Sequence, residues 1–431
     1  MRLYILLSLL VQLAYAFRRT FPFQTSQVSD TSNETSGCCL CSFRDTSYME
    51  SKCGVKTSFM NLVEKVISSR CDISDPCNRL GKEEVPNEWF DFIVVGAGMA
   101  GPIIARRLSD NPWWRVLLIE AGPEEPSMTS IPGLAFHAVN SSLDWNFKTE
   151  PTEPHPTACL ETDGVCTWPR GKMVSGTSVA IHFSIKDTAY EAMTMDSVNE
   201  YLETRTGPLT STGLTQVTAF LESSYAVTGV PDIQVFFDGF SPKCPRTGLE
   251  FECLNGALAL CSDRRQIVMR PTAVTVASRG YMKLRSGDPA VPPLIYPNYF
   301  VDTKDLKVLV EGIKKAIELT NTQTMKQWDL RLEPVIHPLC TNYHFASDAY
   351  WECYIRTATG PENHQSGTCK MGAYNDPTAV VDPELRVRGV SNIRVADASV
   401  FPIVPNSNPI AAIMMTAEKA ADMIRHTWMK M

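Results

Sequence analysis

The stretch FDFIVVGAGMAGPIIARRLSDNPWWRVLLIEAG, residues 90–122, constrains the fold of this chain more than any other. An apolar run from about Phe90 to Val95 enters a glycine-rich turn, a helical pattern continues to about Ser109, and a second apolar run covers Arg115 to Glu120. Joined this tightly, the three segments predict a βαβ unit opening a parallel sheet. Gly96, Gly98 and Gly101 stand at the GxGxxG spacing, where missing side chains let backbone N–H groups and the positive end of a helix approach a pyrophosphate. Glu120 lies about 20 residues further on, at the end of the second strand, where a carboxylate accepts hydrogen bonds from an adenosine ribose. FAD and NAD both use this fingerprint, so it does not choose between them. The plainer alternative is a glycine-rich turn beside a surface acid.

The chain is 431 residues long, 44% apolar and 20% charged, a globular composition with room for one large domain or two ordinary ones. A formal charge of -7 and the lack of any basic stripe exclude a nucleic-acid-binding role. Residues 1–16 read as a secretory signal peptide: Arg2, an apolar run from Leu3 to about Leu13, then small residues at Ala14 and Ala16. The mature chain is expected to begin near Phe17, to be extracellular and to lack a membrane span. Residues 17–85 hold six of the 14 cysteines, Cys38, Cys39, Cys41, Cys53, Cys71 and Cys77, read as disulfide partners of undetermined pairing. No partnered CxxC or His-x-His spacing accompanies them, so no metal site is assigned. Asn33 and Asn140 are glycosylation acceptors by pattern, in keeping with export.

Further along, Thr149 to Cys166 is rich in Pro, Thr and acids and reads as loop, followed by a second glycine-rich loop, WPRGKMVSGTSV. From about Ala189 to Pro297 short strand-like runs such as IQVFFDGF and YMKLRS alternate with turn clusters, which predicts a sheet with flanking helices. TKDLKVLVEGIKKAIELTNT has apolar residues at helical spacing, NIRVADASVFP reads as a strand ending at Asp397, and IAAIMMTAEKAADMIRHTW as a helix rich in small residues.

Taken in order, the GAGMAG turn, LLIEAG, PRGKMVSGTSV, HQSGTCKMG and DPELRVRGVSNIRVADASVFP with the following helix resemble the signatures of the glucose-methanol-choline (GMC) oxidoreductases, spanning residues 90 to 425. DGFSPKCPRTGLE, MKLRSGDP and PPLIYPNYF look most like the family's insect branch. The resemblance implies a Rossmann-like α/β domain that binds FAD non-covalently and a second α+β substrate-binding domain built on an antiparallel sheet. It implies a donor with a CH–OH group, glucose or another sugar or alcohol, and a quinone-like electron acceptor. In this reading residues 86–185 and 381–431 form the FAD-binding domain and residues 186–380 the substrate-binding domain. The flavin-contacting positions fall on Arg170, Gly171, Lys172, Val174, Gly176 and Val179, with Asp397 and Ala398 beside the ribityl-pyrophosphate region. Asp397 has a second reading, as a cap for the next turn.

The family's catalytic base matches His364. A neutral imidazole suits the removal of a hydroxyl proton as hydride leaves for flavin N5, whereas the bland reading is a structural histidine. The family's second catalytic position, usually His or Asn, falls on Ile410; Asn408 and Asn406 lie two and four residues before it, and Asn408 is the candidate carried forward. A larger departure follows GTSVAIHFSIKDTAYEAMTM. A segment on the order of 150 residues that the family carries is missing, with its junction near Ile185 to Lys186. The cofactor half is left with three readable parallel strands, near Phe90–Val95, Arg115–Glu120 and Asn392–Ala396, and with one flank open. The rival readings are therefore a shortened, catalytically impaired secreted paralogue serving as a binding or structural protein, and an oxidase of a steroid-like alcohol.

Overall fold

The computed structural model describes residues 89–122, 144–170, 181–185, 195–207, 210, 217–238, 265–288 and 291–429. The expected signal peptide, the six clustered cysteines and the two sequence patterns for glycosylation lie outside them.

The first lobe is built on β1 (Phe92–Val95), α1 (Gly101–Leu108) and β2 (Val116–Ile119). β1 and β2 pair in parallel, in register from Phe92 with Val116 to Val95 with Ile119. Pro102 starts α1, where its missing N–H costs nothing, and Arg106 and Arg107 sit in the last turn, where positive charge suits the helix dipole. Between this lobe and the next, β3 (Phe147–Lys148) pairs with β4 (Thr167–Trp168), and a disulfide joins Cys159 to Cys166 in the loop between them.

The second lobe contains β5 (Ile181–Ile185), α2 (Met195–Thr204), β6 (Val217–Leu221), β7 (Ile233–Asp238), β8 (Arg265–Ala273), the pair β9 (Tyr281–Lys283) and β10 (Leu294–Tyr296), α3 (Thr303–Glu318), α4 (Gln323–Gln327), β11 (Arg331–Leu332) and α5 (Asp348–Ala358). Its main sheet has the order β11-β5-β8-β7-β6, with every neighbouring pair antiparallel. Strict alternation sorts the side chains. Ile181, Phe183, Ile233, Val235 and Met269 turn to one face and join Leu306, Leu309 and Ile313 of α3 and Tyr350, Trp351 and Ile355 of α5 in the main core. Gly312 lets α3 come close to the sheet, since a Cβ there would lie 3.1 Å from the Pro271 Cβ and 3.2 Å from Ile233 Cγ2. Asp302 and Ser347 cap α3 and α5 by accepting from the N–H groups of Lys304 and Tyr350. A second disulfide ties Cys340 to Cys353 of α5.

The chain then returns to the first lobe with α6 (Ile410–Trp428), which packs on α1. Ala417, Ala420 and Ala421 are fully buried, and Ala417 and Ala420 lie in one cluster with Ile104 and Leu108 of α1. Arg107 of α1 donates from Nε and Nη2 to the Glu418 carboxylate at 2.7 and 2.9 Å.

One expected strand is absent. Asn392–Ala396 does not extend the β1–β2 pair; it turns back on its own preceding residues through an antiparallel bridge between Arg386 and Arg394. Val387 N–H donates to Ile393 O at 3.0 Å and Val395 N–H to Leu385 O at 3.1 Å, so these backbone groups are used locally. Gly389 and Asn392, both at positive φ, make the connecting turn. Among the described residues the parallel sheet therefore has two strands, and Ile93, Val95 and Ile119 are 60%, 62% and 43% exposed. A parallel sheet is ordinarily covered on both faces, and these three apolar side chains stand open instead.

Candidate active site

The glycine turn has the geometry its spacing requires. Gly96 sits at φ +96°, outside the range comfortable for other residues, and accepts no crowding because nothing lies within 4 Å of where its Cβ would be. Gly98 is equally open on its Cβ side. Gly101 is the opposite case: a Cβ there would fall 1.8 Å from the Gly96 carbonyl oxygen, so α1 begins directly against the turn. Glu120 reaches across from the end of β2, its carboxylate accepting from the Ala97 N–H at 2.5 Å and the Gly122 N–H at 2.6 Å. Each oxygen keeps capacity for a further donor. Open space at Gly96 and Gly98, tight packing at Gly101 and an exposed carboxylate beside the turn fit the diphosphate and ribose of a bound dinucleotide.

The second cluster forms where the turn Pro361–Ser366 crosses the other face of the main sheet. That face carries Thr218, Gln234, Phe236, Asp238, Arg270 and Thr272, with Gln234 fully buried and Arg270 6% exposed. Arg270 pairs with Asp238 through Nε and with Glu362 at 3.0 Å, and its guanidinium lies 5.1 Å from the Phe236 ring. The Arg270 pair thus fastens the start of the PENH segment to the sheet. Replacing Arg270 with Met removes its ion pairs to Asp238 and Glu362; a lowered denaturation midpoint is expected, and an unchanged midpoint would show that these pairs do not hold the segment to the sheet.

His364 stands next in this turn. Burial is the main cause, and the Arg170 charge the lesser one, of a pKa lowered to about 4. Arg170 reaches the same turn, donating to Asn363 O at 3.3 Å and to Gln365 Oε1, while its own N–H donates to Asp144 Oδ1 at 2.8 Å. Burial also lowers the Arg170 pKa. Buried polar atoms gather here without hydrogen-bond partners among the described residues: Asn363 Oδ1, Gln365 Nε2 and Ser366 Oγ. Such atoms are costly unless something bound satisfies them.

The asparagine question is decided by geometry. Asn408 Nδ2 lies 3.3 Å from His364 Nε2, whereas Asn406 is turned away, with its amide on Pro231 O and Thr275 Oγ1. Ile410 begins α6 and is 48% exposed. The loop before α6 is pinned by Asn406 and so presents Asn408, two residues on, to the imidazole. The neighbouring segment is held by backbone bonds: Cys369 N–H donates to Ser399 O and Met371 N–H to Val400 O, each at 2.8 Å, and Gly367 N–H to Ala398 O at 3.3 Å. Asp397 accepts from Ser399 N–H at 2.9 Å and caps the short 3-10 turn Ala398–Val400. Gly171, Lys172, Val174, Gly176 and Val179 lie outside the described residues.

Residue patterning had not pointed to Gln234, Arg270, Asp238 or Glu362. The available signal was a glutamine and an aspartate at alternating positions of the otherwise apolar run IQVFFD. Alternation indicates two faces; it does not say that the polar face is buried.

The open glycine turn thus lies in one lobe, and in the other a neutral imidazole is paired with an asparagine over the polar face of an antiparallel sheet. Residues 276–417 match the family profile described as GMC oxidoreductase. The glucose dehydrogenase [FAD, quinone] of Drosophila pseudoobscura pseudoobscura is 28% identical over 586 residues, covering 86% of this chain and 92% of that protein. Choline oxidase of Arthrobacter globiformis is 38% identical over 159 residues, 36% of this chain and 28% of that one. Among solved structures, formate oxidase of Aspergillus oryzae shares the fold with a TM-score of 0.64 at 16% identity, covering 80% of this chain and 100% of that chain. The chain is thus similar to GMC oxidoreductases over residues 276–417 and, along most of its length, to a dehydrogenase that uses FAD. The 586-residue alignment is longer than the 431 residues of this chain, so the match runs across a large gap on this chain's side.

Proposed function

We propose that this chain is an exported, FAD-dependent oxidoreductase of CH–OH donors, glucose or another sugar or alcohol, passing electrons to a quinone-like acceptor. The observation that carries the reading is the His364–Asn408 pair, 3.3 Å apart, formed by segments 44 residues distant in sequence. Gly96, Gly98, Gly101 and Glu120 hold the ADP half of FAD, and the loop from Arg170 through Gly171, Lys172, Val174, Gly176 and Val179 lies toward the flavin, with Asp397 and Ala398 near the ribityl-pyrophosphate. When bound, FAD supplies the acceptor for the hydride. His364 accepts the donor's hydroxyl proton at Nε2 once the donor has replaced the Asn408 amide on that lone pair, and the freed Asn408 NH2 then holds the hydroxyl oxygen in place. The uncapped start of α6 adds positive dipole beside the site.

A lowered pKa suits the role because His364 stays unprotonated well below neutrality. Protonation removes the base, so the acid limb of kcat/KM is expected near pH 4 to 5 and not near the ordinary imidazole value of about 6.5. A limb at 6.5 in the wild type, or one unmoved in Asn408→Asp, which places a carboxylate against the ring, would count against His364 as the base.

A second reading, a family member that no longer turns over and acts as a binding protein, is favoured by the alignment gap and the exposed faces of Ile93, Val95 and Ile119. An absorption spectrum of the purified protein separates the two. Flavin bands in the protein fraction, present as purified or after adding FAD, support the enzyme; a preparation that stays colourless supports the alternative.

A further inference from the structure

The His364–Asn408 contact is one end of a longer chain of polar groups whose other end is a backbone carbonyl in the sheet. Thr218 Oγ1 donates to Val235 O at 3.2 Å. Its lone pairs then face Gln234, whose Nε2 donates to Thr218 Oγ1 at 3.1 Å. The same amide nitrogen gives its second hydrogen to Asn408 Oδ1 at 3.2 Å. With its oxygen engaged, Asn408 can turn only its NH2 toward His364 Nε2. An NH2 facing that nitrogen requires a lone pair there, so the ring proton must sit on Nδ1.

We infer that Gln234 is a positioning residue which, through Asn408, sets His364 in the tautomer with Nε2 unprotonated, the direction of the relay being imposed by the Val235 carbonyl in β7. Each link has one permitted direction. A main-chain oxygen cannot donate, so Thr218 donates to it; a hydroxyl that donates there accepts from Gln234; an amide whose nitrogen serves Thr218 and Asn408 has its oxygen pointed away. That oxygen, Gln234 Oε1, is buried without a partner, as the relay requires. Leaving it unmatched carries a cost, borne here at a fully buried residue of the sheet. Gln234 touches neither donor nor cofactor in this scheme and acts only through Asn408.

The inference rests on the proposed role of His364, but its first test does not. Long-range proton–nitrogen NMR of the full chain with labelled histidine reads the tautomer directly, and the His364 signals are assigned by their loss in His364→Gln. The expected result is a neutral ring with Nδ1 protonated and Nε2 bare, at pH 7 and without turnover. In Gln234→Leu, and more weakly in Thr218→Val, this single pattern should give way to a mixture of both tautomers, with kcat reduced and KM nearly unchanged. Wild-type protein with the proton on Nε2 overturns the inference, as does an unaltered tautomer in both variants. Thr218→Val keeps a β-branched residue on β6 and serves if the buried Gln234→Leu fails to fold. A preparation that stays colourless after FAD is added, yet still shows the Nδ1–H form and its loss in the variants, leaves the relay standing while removing the enzymatic reading.

Discussion

His364→Gln is expected to lower kcat for an alcohol donor by about 10²- to 10⁴-fold, the span that a positioned general base contributes, while flavin content and thermal midpoint hold. Glutamine keeps hydrogen-bonding capacity for Asn408 but cannot take a proton at neutral pH. The residual rate should lose its acid limb, because the group that titrates to about 4 is gone. Stability has its own pH signature. In the fold the imidazole binds a proton only near pH 4, in the unfolded chain near 6.5, so the unfolded state holds the extra proton between those values. His364 therefore contributes its full share above about pH 6.5 and loses it as pH falls toward 4, and the variant should flatten that part of the curve. Steady-state kinetics and thermal melts across pH 4 to 7 measure both; a variant with wild-type kcat removes His364 from the chemistry.

Gly101→Ala is expected to destabilise the first lobe by about 1–3 kcal/mol or more and to abolish flavin retention. The added Cβ would stand 1.8 Å from the Gly96 carbonyl oxygen, a backbone atom that cannot rotate aside, so α1 must back away from the turn. Gly98→Ala is the informative partner. Its Cβ meets no atom within 4 Å and its backbone is not at positive φ, so thermal stability should stay within about 0.5 kcal/mol of the wild type. The methyl group does enter the space proposed for the diphosphate, and a flavin Kd raised about tenfold, about 1.4 kcal/mol, is the expected minimum. Melting curves with flavin absorbance separate the effects. Should Gly98→Ala retain flavin as well as the wild type, the turn is packing rather than a cofactor cradle.

Comparing these two glycines shows how far residue spacing reaches. GxGxxG after a strand carries its geometry with it, because the turn, the positive φ at Gly96 and the start of α1 depend on residues adjacent in the chain. The same holds for α3, α6, the strand IQVFFD and Glu120 at the end of β2, which were legible from periodicity and short-range order. Asn392–Ala396 was misread as a third parallel strand since its apolar pattern suits any pairing, and only the Gly389–Asn392 turn made the local partner nearer than β1.

By itself, then, the sequence determined the glycine-rich turn, the main helices and the signatures that resemble a known family, all of which are written in neighbouring residues. Tertiary structure alone decided that Asn408 and not Asn406 meets His364, that Gln234 and Arg270 lie buried beneath them, and that Ile93 and Val95 face outward. The reason is physical: a hydrogen bond between residues 44 or 174 positions apart depends on where two lobes bring their loops. Burial likewise depends on what covers a face, which alternation along one strand does not encode.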